Sequence, residues 1–350
     1  MRTILHFIPD SALAYTYQGS YKDILSRVNW FRTQDAEYRQ ILLSEDPATL
    51  DRLPPSGEVC GILVEYTHYP RTVAILRRQY PGAFLATRAH NIEPLQHLHV
   101  HGWRTERGPL WLLYGMCRRL YHDMLCKRYC DAIYSISSYE NRVYWDRLPG
   151  RARIEWLPYF CPEHLLPQHP LDFARRTTIG CLPGDLRARR NRDMAVRFIE
   201  FARMMKAAGA PYEFVMTGNV SASDLPSCDA VRLTGMLDDL ASLLGELRAV
   251  AVLSPIGYGL KTTAVDALAA GAYTLAHPAI VRRSPKKITP AMIAVETPGP
   301  VNVAEARRVT DALASPPPCR QIHSELKARC LELLQRDFGP KRRGRPCFEF

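Results

Sequence analysis

The chain has 350 residues, 47% of them apolar, with both charge signs interspersed; this describes a soluble globular protein with room for two cores and excludes a long disordered chain. A net charge of +11 favours acidic partners, from nucleotides to phosphorylated lipids, anionic membrane surfaces or nucleic acid, without choosing among them. Ten cysteines without a Cys-x-x-Cys pair argue for reduced thiols in a cytosolic compartment and against a zinc site, and no apolar run is long enough to span a membrane.

In chain order, Met1–Pro9 is too short for the apolar region of a signal peptide and reads as a first strand. Strands are predicted at Thr3–Ile8, Val59–Glu65, Ala83–Thr87, Ala132–Ile136 and Ile154–Leu157, with helices at Tyr21–Leu42, Arg71–Gln79, Pro109–Tyr129 and Ser138–Arg147. The segment 158–170 carries four prolines and little periodicity, so it reads as a linker. A second series follows: strand Thr177–Cys181, helix Asp193–Ala208, strand Glu213–Thr217, short strand Val231–Leu233, helix Asp238–Leu247 and strand Ala249–Leu253. After it come a glycine loop, helix Lys261–Ala270, strands Ala272–Ala276 and Ile293–Val295, and helices Val303–Ala314 and Ile322–Arg336. The alternation predicts an α/β protein: two doubly wound, Rossmann-like units, 1–160 and 171–335, face each other across a cleft, and a basic tail occupies 336–350. That tail is either a solvated end or a contact to anionic lipid.

The stretch Ser254–Gly271 is a strand end, a glycine loop and a helix that starts at Lys261 and is capped by Gly271. A helix N-terminus offers unpaired N–H groups and the positive end of a dipole, and lysine adds a full charge, so this corner suits a phosphate or diphosphate. Its plain alternative is an ordinary βαβ crossover with a solvated lysine. Arg187-Ala-Arg-Arg-Asn191 follows the first strand of the second unit, and strands one and four of such a sheet present their loops on one edge, so these guanidinium groups can face Lys261 across a diphosphate. Asp266 lies among alanines and leucines, where a carboxylate is expected to reach a polar cleft or else to be exposed. Arg88-Ala-His-Asn-Ile-Glu93 sits just beyond a strand's C-terminal end, where His90 can hydrogen-bond a sugar hydroxyl or handle a proton; satisfied loop residues are the alternative. His97, His99 and His101 alternate as one side of an extended segment would, which fits a mobile loop lining the cleft better than a metal site, since no partner ligand accompanies them. The helix at Pro109–Tyr129 mixes Trp111, Leu113 and Tyr121 with Arg118 and Arg128 and either packs in the core or lies on a membrane. Ser137 or Ser138 reads as a helix N-cap rather than a nucleophile.

Together these motifs resemble the GT-B glycosyltransferases, in the broad retaining group called family four (group 1), from about Ala83 to Leu334. The resemblance is carried by Arg88–Glu93, Cys130–Ser137, Trp156–Phe160 and Pro255–Gly271. It implies that Lys261 and either Arg187 or Arg190 hold the donor diphosphate, helped by the Gly259 loop and the backbone amides of Leu260, Lys261, Thr262 and Thr263. It places Asp266 where the family has a ribose-binding glutamate, and His90 beside the transferred sugar; Arg88, Asn91 and Glu93 lie on the acceptor side. His90, Lys261, Arg190 and Asp266 form the implied catalytic set. The implied reaction is metal-independent transfer of a hexosyl or related group from a UDP- or GDP-sugar to a glycan or lipid-linked acceptor, with retention, in surface polysaccharide biosynthesis. The protein is then cytoplasmic, at most peripheral at the inner membrane face, with no cofactor and no nucleic-acid partner. A degenerate transferase that only binds, and a nucleotide-sugar epimerase, are the alternatives. The chain departs from the family at Tyr258, where a carboxylate is common, and after its first strand, where Pro9–Ala14 and Gly19-Ser20 replace a Gly-Gly loop.

Overall fold

The computed structural model describes residues 2–13, 19–34, 36–43, 53–102, 107–219, 225–226, 229–237, 239–296 and 302–339; the basic run from Lys341 lies outside them. The first half runs β1 (Thr3–Pro9), α1 (Asp10–Leu13), α2 (Gly19–Arg32), β2 (Glu37–Leu43), β3 (Val59–Glu65), α3 (Pro70–Gln79), β4 (Phe84–Ala89), α4 (Glu93–His101), α5 (Gly108–Tyr129), β5 (Ala132–Ser135), α6 (Ser138–Val143) and β6 (Arg153–Trp156). The second runs β7 (Thr178–Asp185), α7 (Arg189–Ala207), β8 (Glu213–Asn219), β9 (Arg232–Gly235), α8 (Leu240–Glu246), β10 (Leu247–Val252), α9 (Thr262–Ala269), β11 (Tyr273–Ala276), α10 (Pro278–Arg283), β12 (Met292–Ala294), α11 (Val303–Ala312) and α12 (Cys319–Phe338).

The strands form two six-stranded sheets, ordered β2-β1-β3-β4-β5-β6 and β12-β11-β10-β7-β8-β9. Every pairing among them is parallel. The central strands β1 and β10 are buried at every position, as strands covered by helices on both faces must be. The two halves meet on an apolar seam in which Val265 and Leu268 of α9 pack with Ile136, Tyr159 and Leu326. The closing helix α12 returns to the first sheet: Leu333, Leu334 and Phe338 share a core with Ile4, Leu63 and Tyr134. The last helix, expected within 171–335, is therefore part of the core of the first sheet as well.

Besides shifted helix ends and the unpredicted α10, two segments differ in kind from the sequence expectation. The helix predicted over Tyr21–Leu42 stops at Arg32, and Glu37–Leu43 is β2, the edge strand beside β1. An edge strand has one paired side and here a largely half-exposed pattern, so its spacing mimics a continuing helix. The histidine stretch expected to be a loop is α4, with Pro94 in its first turn. On a helix, alternate residues diverge: His97 and His101 stack one turn apart at 4.6 Å beside Trp111, while His99 points toward Tyr258 at 4.9 Å. No group of metal-ligating side chains occurs among the described residues.

Candidate active site

In each sheet the strand order reverses direction once, between β1 and β3 and between β7 and β10. Loops leave such a switch point in opposite directions and open a crevice at the C-terminal strand ends. A cleft of about 500 Å³ lies there, lined from one side by Gly19, Ser20, Tyr66, His90 and Asn91. From the other side it is lined by Pro183–Asp185 at the end of β7 and by Ser254 and Tyr258–Thr263 after β10, apart from Gly259. Three helices, α2, α7 and α9, begin at this cleft, through Gly19-Ser20, Arg190-Asn191 and Thr262-Thr263. No side chain caps α7 or α9; the N–H groups of Asn191 and Ala264 turn back onto the carbonyls of Ala188 and Lys261, and those of Arg190, Thr262 and Thr263 are left for an anion. Gly19 lets α2 and α9 start close together: a Cβ there would stand 2.0 Å from Thr262 Oγ1 and would force that side chain to move.

Lys261 and Arg190 supply the full charges. Burial, then the positive charges of Arg190 and Arg283, push the Lys261 ammonium down to about 7. Its Nζ rests on the Ile256 carbonyl at 3.2 Å. Asp185 is the only carboxylate in the lining, and its oxygens are taken by Arg187. The cleft therefore presents Lys261 and Arg190 with no carboxylate of its lining set against them.

Facing these cations, His90 is held by a buried network of charges. Its Nε2 lies 3.1 Å from Glu65 Oε2, and its ring stacks on Tyr66 at 4.1 Å. Burial is the largest single influence on both Asp23 and Glu65 and raises them, but the opposing groups together outweigh it: Arg27, Arg88 and His90 at Asp23, and Arg27 with the hydrogen bonds from His6 and His90 at Glu65. Asp23 is held at about 2 and Glu65 well below its usual range. Tyr66 has φ of 69°, the only positive φ outside glycine among the described residues, and that turn sets its ring against His90. Strain of this kind persists where the surroundings over-determine it.

No protein-family model and no curated protein matches the sequence. Among solved structures, sucrose-phosphate synthase from Thermosynechococcus elongatus is similar at 13% identity, covering 95% of each chain with a TM-score of 0.59. HepE from Anabaena, in complex with UDP and glucose, matches at 12% identity over 97% of this chain and 96% of its own, TM-score 0.57. A glycosyltransferase from Rickettsia africae matches at 11% over 96% and 94%, TM-score 0.54. Likeness over nearly the whole of both chains, together with the two facing sheets, decides the architecture. The fold is GT-B.

In this GT-B chain the cleft gathers His90, Asn91, Arg190, Leu260, Lys261, Thr262 and Thr263 of the residues singled out in the sequence. Others lie elsewhere. Arg88 is wholly buried, bidentate on Asp23 and donating to the carbonyls of Ser135 and Leu157. Glu93 is buried beside His68 at 2.9 Å. Arg187 points outward onto Asp185. Asp266 corrects the expectation most: its carboxylate does not line the cleft but accepts from Lys22 Nζ at 2.8 Å and from Tyr159 Oη at 2.6 Å, tying the two halves together. The face of α9 that carries Asp266 turns into the seam, so the residue's apolar neighbours reported an interface and not a ligand.

Sequence reasoning missed the residues that close the cleft. The N–H of Tyr258 donates to Gln96 Oε1 at 2.6 Å, and that of Gly259 to Glu140 Oε1 at 2.8 Å. Gly259, at φ of 82°, lies so close to the His90 carbonyl that a Cβ would stand 2.5 Å from it. Arg283 of α10 donates to the carbonyls of Pro255 and Gly257 and lies over the Tyr258 ring at 4.9 Å. Glu140 was legible as the fourth residue of a Ser-x-x-Glu capping pattern after a strand; Gln96 lies in the stretch expected to be a loop and Arg283 on a short helix the pattern did not show, so neither left a signal.

Burial pushes the Glu140 carboxyl up to about 8, and its second oxygen finds no hydrogen-bond partner. Between the unfolded value near 4.5 and about 8, the folded protein keeps a proton that the unfolded chain releases, so this group lowers stability as pH rises through that window. Glu140→Gln keeps an acceptor for Gly259 and cannot ionise. It is expected to match the wild type near pH 4.5 and to exceed it by about 3 kcal/mol at pH 7, at about 1.4 kcal/mol per unit of displacement. Melting temperatures of both proteins across pH 5–8 check this; parallel curves contradict it.

Proposed function

We propose that this chain transfers a sugar from a nucleoside-diphosphate sugar to a glycan or glycoconjugate acceptor. The observation that carries the reading is the pairing of Lys261 and Arg190, at uncapped helix N-termini, across a GT-B cleft from His90. Breaking the bond between the anomeric carbon and the diphosphate oxygen leaves the electron pair on that oxygen and an oxocarbenium-like sugar. Fixed positive charge at the leaving group stabilises that transition state without reorganisation. Because Lys261 and Arg190 already provide this charge, the reading includes no metal. In this reading His90 meets the transferred sugar: Glu65 holds its Nε2 and Tyr66 its ring, and Nδ1, 3.6 Å from Asp23 Oδ2, is the atom left for a sugar hydroxyl.

The neighbour crystallised with UDP and glucose favours a UDP-sugar over a GDP-sugar. Retention and a role in surface polysaccharide synthesis rest on the resemblance to family four, and product stereochemistry by NMR tests the first. No helix among the described residues is long and apolar enough to cross a membrane, in keeping with a proposed place in the cytoplasm. The deciding experiment is a thermal-shift panel of nucleoside diphosphates and their sugars, followed by nucleotide release with acceptor saccharides in EDTA. UDP or GDP is expected to raise the melting temperature; no shift with any of them overturns the reading. Tyr258, which lies under Arg283 where a sugar-binding carboxylate is common, favours a second reading, a protein that binds nucleotide sugar without turnover. Binding without release of nucleotide across the acceptor panel would select it.

A further inference from the structure

Helix α5 is apolar on two sides. Leu112, Gly115 and Cys126 face inward and are buried. On the outside Leu110, Leu113, Tyr114, Leu120 and Tyr121 are exposed, Leu110 at 81% and Tyr114 at 65%. Their three- and four-residue spacing makes one stripe along the helix. Of the 11 exposed large apolar side chains among the described residues, these are five, and Ile75 and Val100 come from α3 and α4, the helices packed against α5. Seven of eleven on three adjoining helices is a patch rather than scatter, and such patches mark interaction surfaces.

The charge on the same helices selects the partner. Arg118 and Arg128 are exposed on α5, and Arg71 and Arg78 on α3. On these helices no exposed carboxylate answers them among the described residues: α3 has none, and Glu93 of α4 and Asp123 of α5 are both buried. We propose that this face docks on a lipid bilayer with anionic headgroups. The leucines enter the boundary between headgroups and acyl chains, the tyrosines stay at the polar interface, and the arginines meet lipid phosphates. A second copy of the chain fits worse, because a two-fold contact would set the same cationic face against itself. Docking by α5 also orients the protein: α4, packed on α5, starts three residues after His90 and joins this face to the cleft. This surface binding does not depend on the transfer reading.

The test is co-sedimentation of the full chain with vesicles of phosphatidylcholine alone and of three parts phosphatidylcholine to one of phosphatidylglycerol, at low and high salt. Binding is expected to the anionic vesicles only and to weaken with salt. Leu113→Ser combined with Tyr114→Ser, and separately Arg118→Glu, are expected to weaken it at least tenfold while leaving the melting temperature unchanged. Neutralising Lys341, Arg342, Arg343 and Arg345 in the tail is expected to leave most of the binding. Alkylation of the native Cys117, exposed on the same face, gives a second readout on the unmodified protein and should slow when anionic vesicles are added. The proposal is overturned by equal binding to both vesicle types, by full binding of the α5 variants, by loss of binding with the tail change alone, or by unchanged Cys117 reactivity. A dimer in solution that the α5 substitutions dissociate would also overturn it.

Discussion

Lys261→Ala is expected to lower sugar transfer by about a thousandfold, on the order of 4 kcal/mol, the usual cost of removing one preorganised donor from a developing anion. The reason lies in the surroundings of the lysine. Burial together with Arg190 and Arg283 holds this lysine near half-protonation at neutral pH, with its Nζ on a single backbone carbonyl. A diphosphate brings the countercharge that the cleft lacks, so the bound lysine regains its proton. Binding of nucleoside diphosphate should therefore take up a proton above pH 7, and affinity should fall up to tenfold per pH unit above about 7 until the pKa of the bound lysine is reached. Calorimetry in two buffers of different ionisation enthalpy reads that proton directly. In the alanine variant the uptake should vanish along with most of the affinity. Uptake that persists without Lys261 would assign the proton, and the diphosphate, to another group.

Asp266→Asn is expected to act on stability and to leave the nucleotide site alone. The carboxylate is 2% exposed and pairs with Lys22, itself buried, across the seam between α2 and α9. Removing one partner strands a buried ammonium, which costs about 3–5 kcal/mol, or roughly 4–7 °C in melting temperature for a chain of this length. The stabilisation added by UDP should remain. If the variant instead melts like the wild type but no longer responds to UDP, Asp266 contacts the donor and the seam assignment fails. Pairing Asp266→Leu with Lys22→Met should recover much of the loss, since neither charge is then left without a partner.

Much of the cleft was legible residue by residue. Gly271 caps α9 with φ of 74°, Lys261 begins that helix, and Arg190 opens α7, because each of these signals is local: a glycine that must turn, a charge at a helix start, a loop after a buried strand. The signals that failed depend on partners distant in sequence. Asp266 and Lys22 are 244 residues apart, and no spacing along either helix shows which face meets the other half. Arg88 sits in a polar cluster that looks like a site, yet Asp23 and two backbone carbonyls neutralise and hide it.

Taken alone, the sequence determined the parallel α/β architecture, the two successive sheets and the cationic corner at Lys261, since strand burial, helix caps and glycine turns are written in short windows. Only the tertiary structure decided that the Tyr258–Gly259 loop is held by Gln96 and Glu140 from the opposite half, that His90 is aimed by Glu65 and Tyr66, and that Asp266 joins the halves instead of a ribose. Those are contacts between surfaces brought together by folding, and a residue's type does not say which surface it will meet.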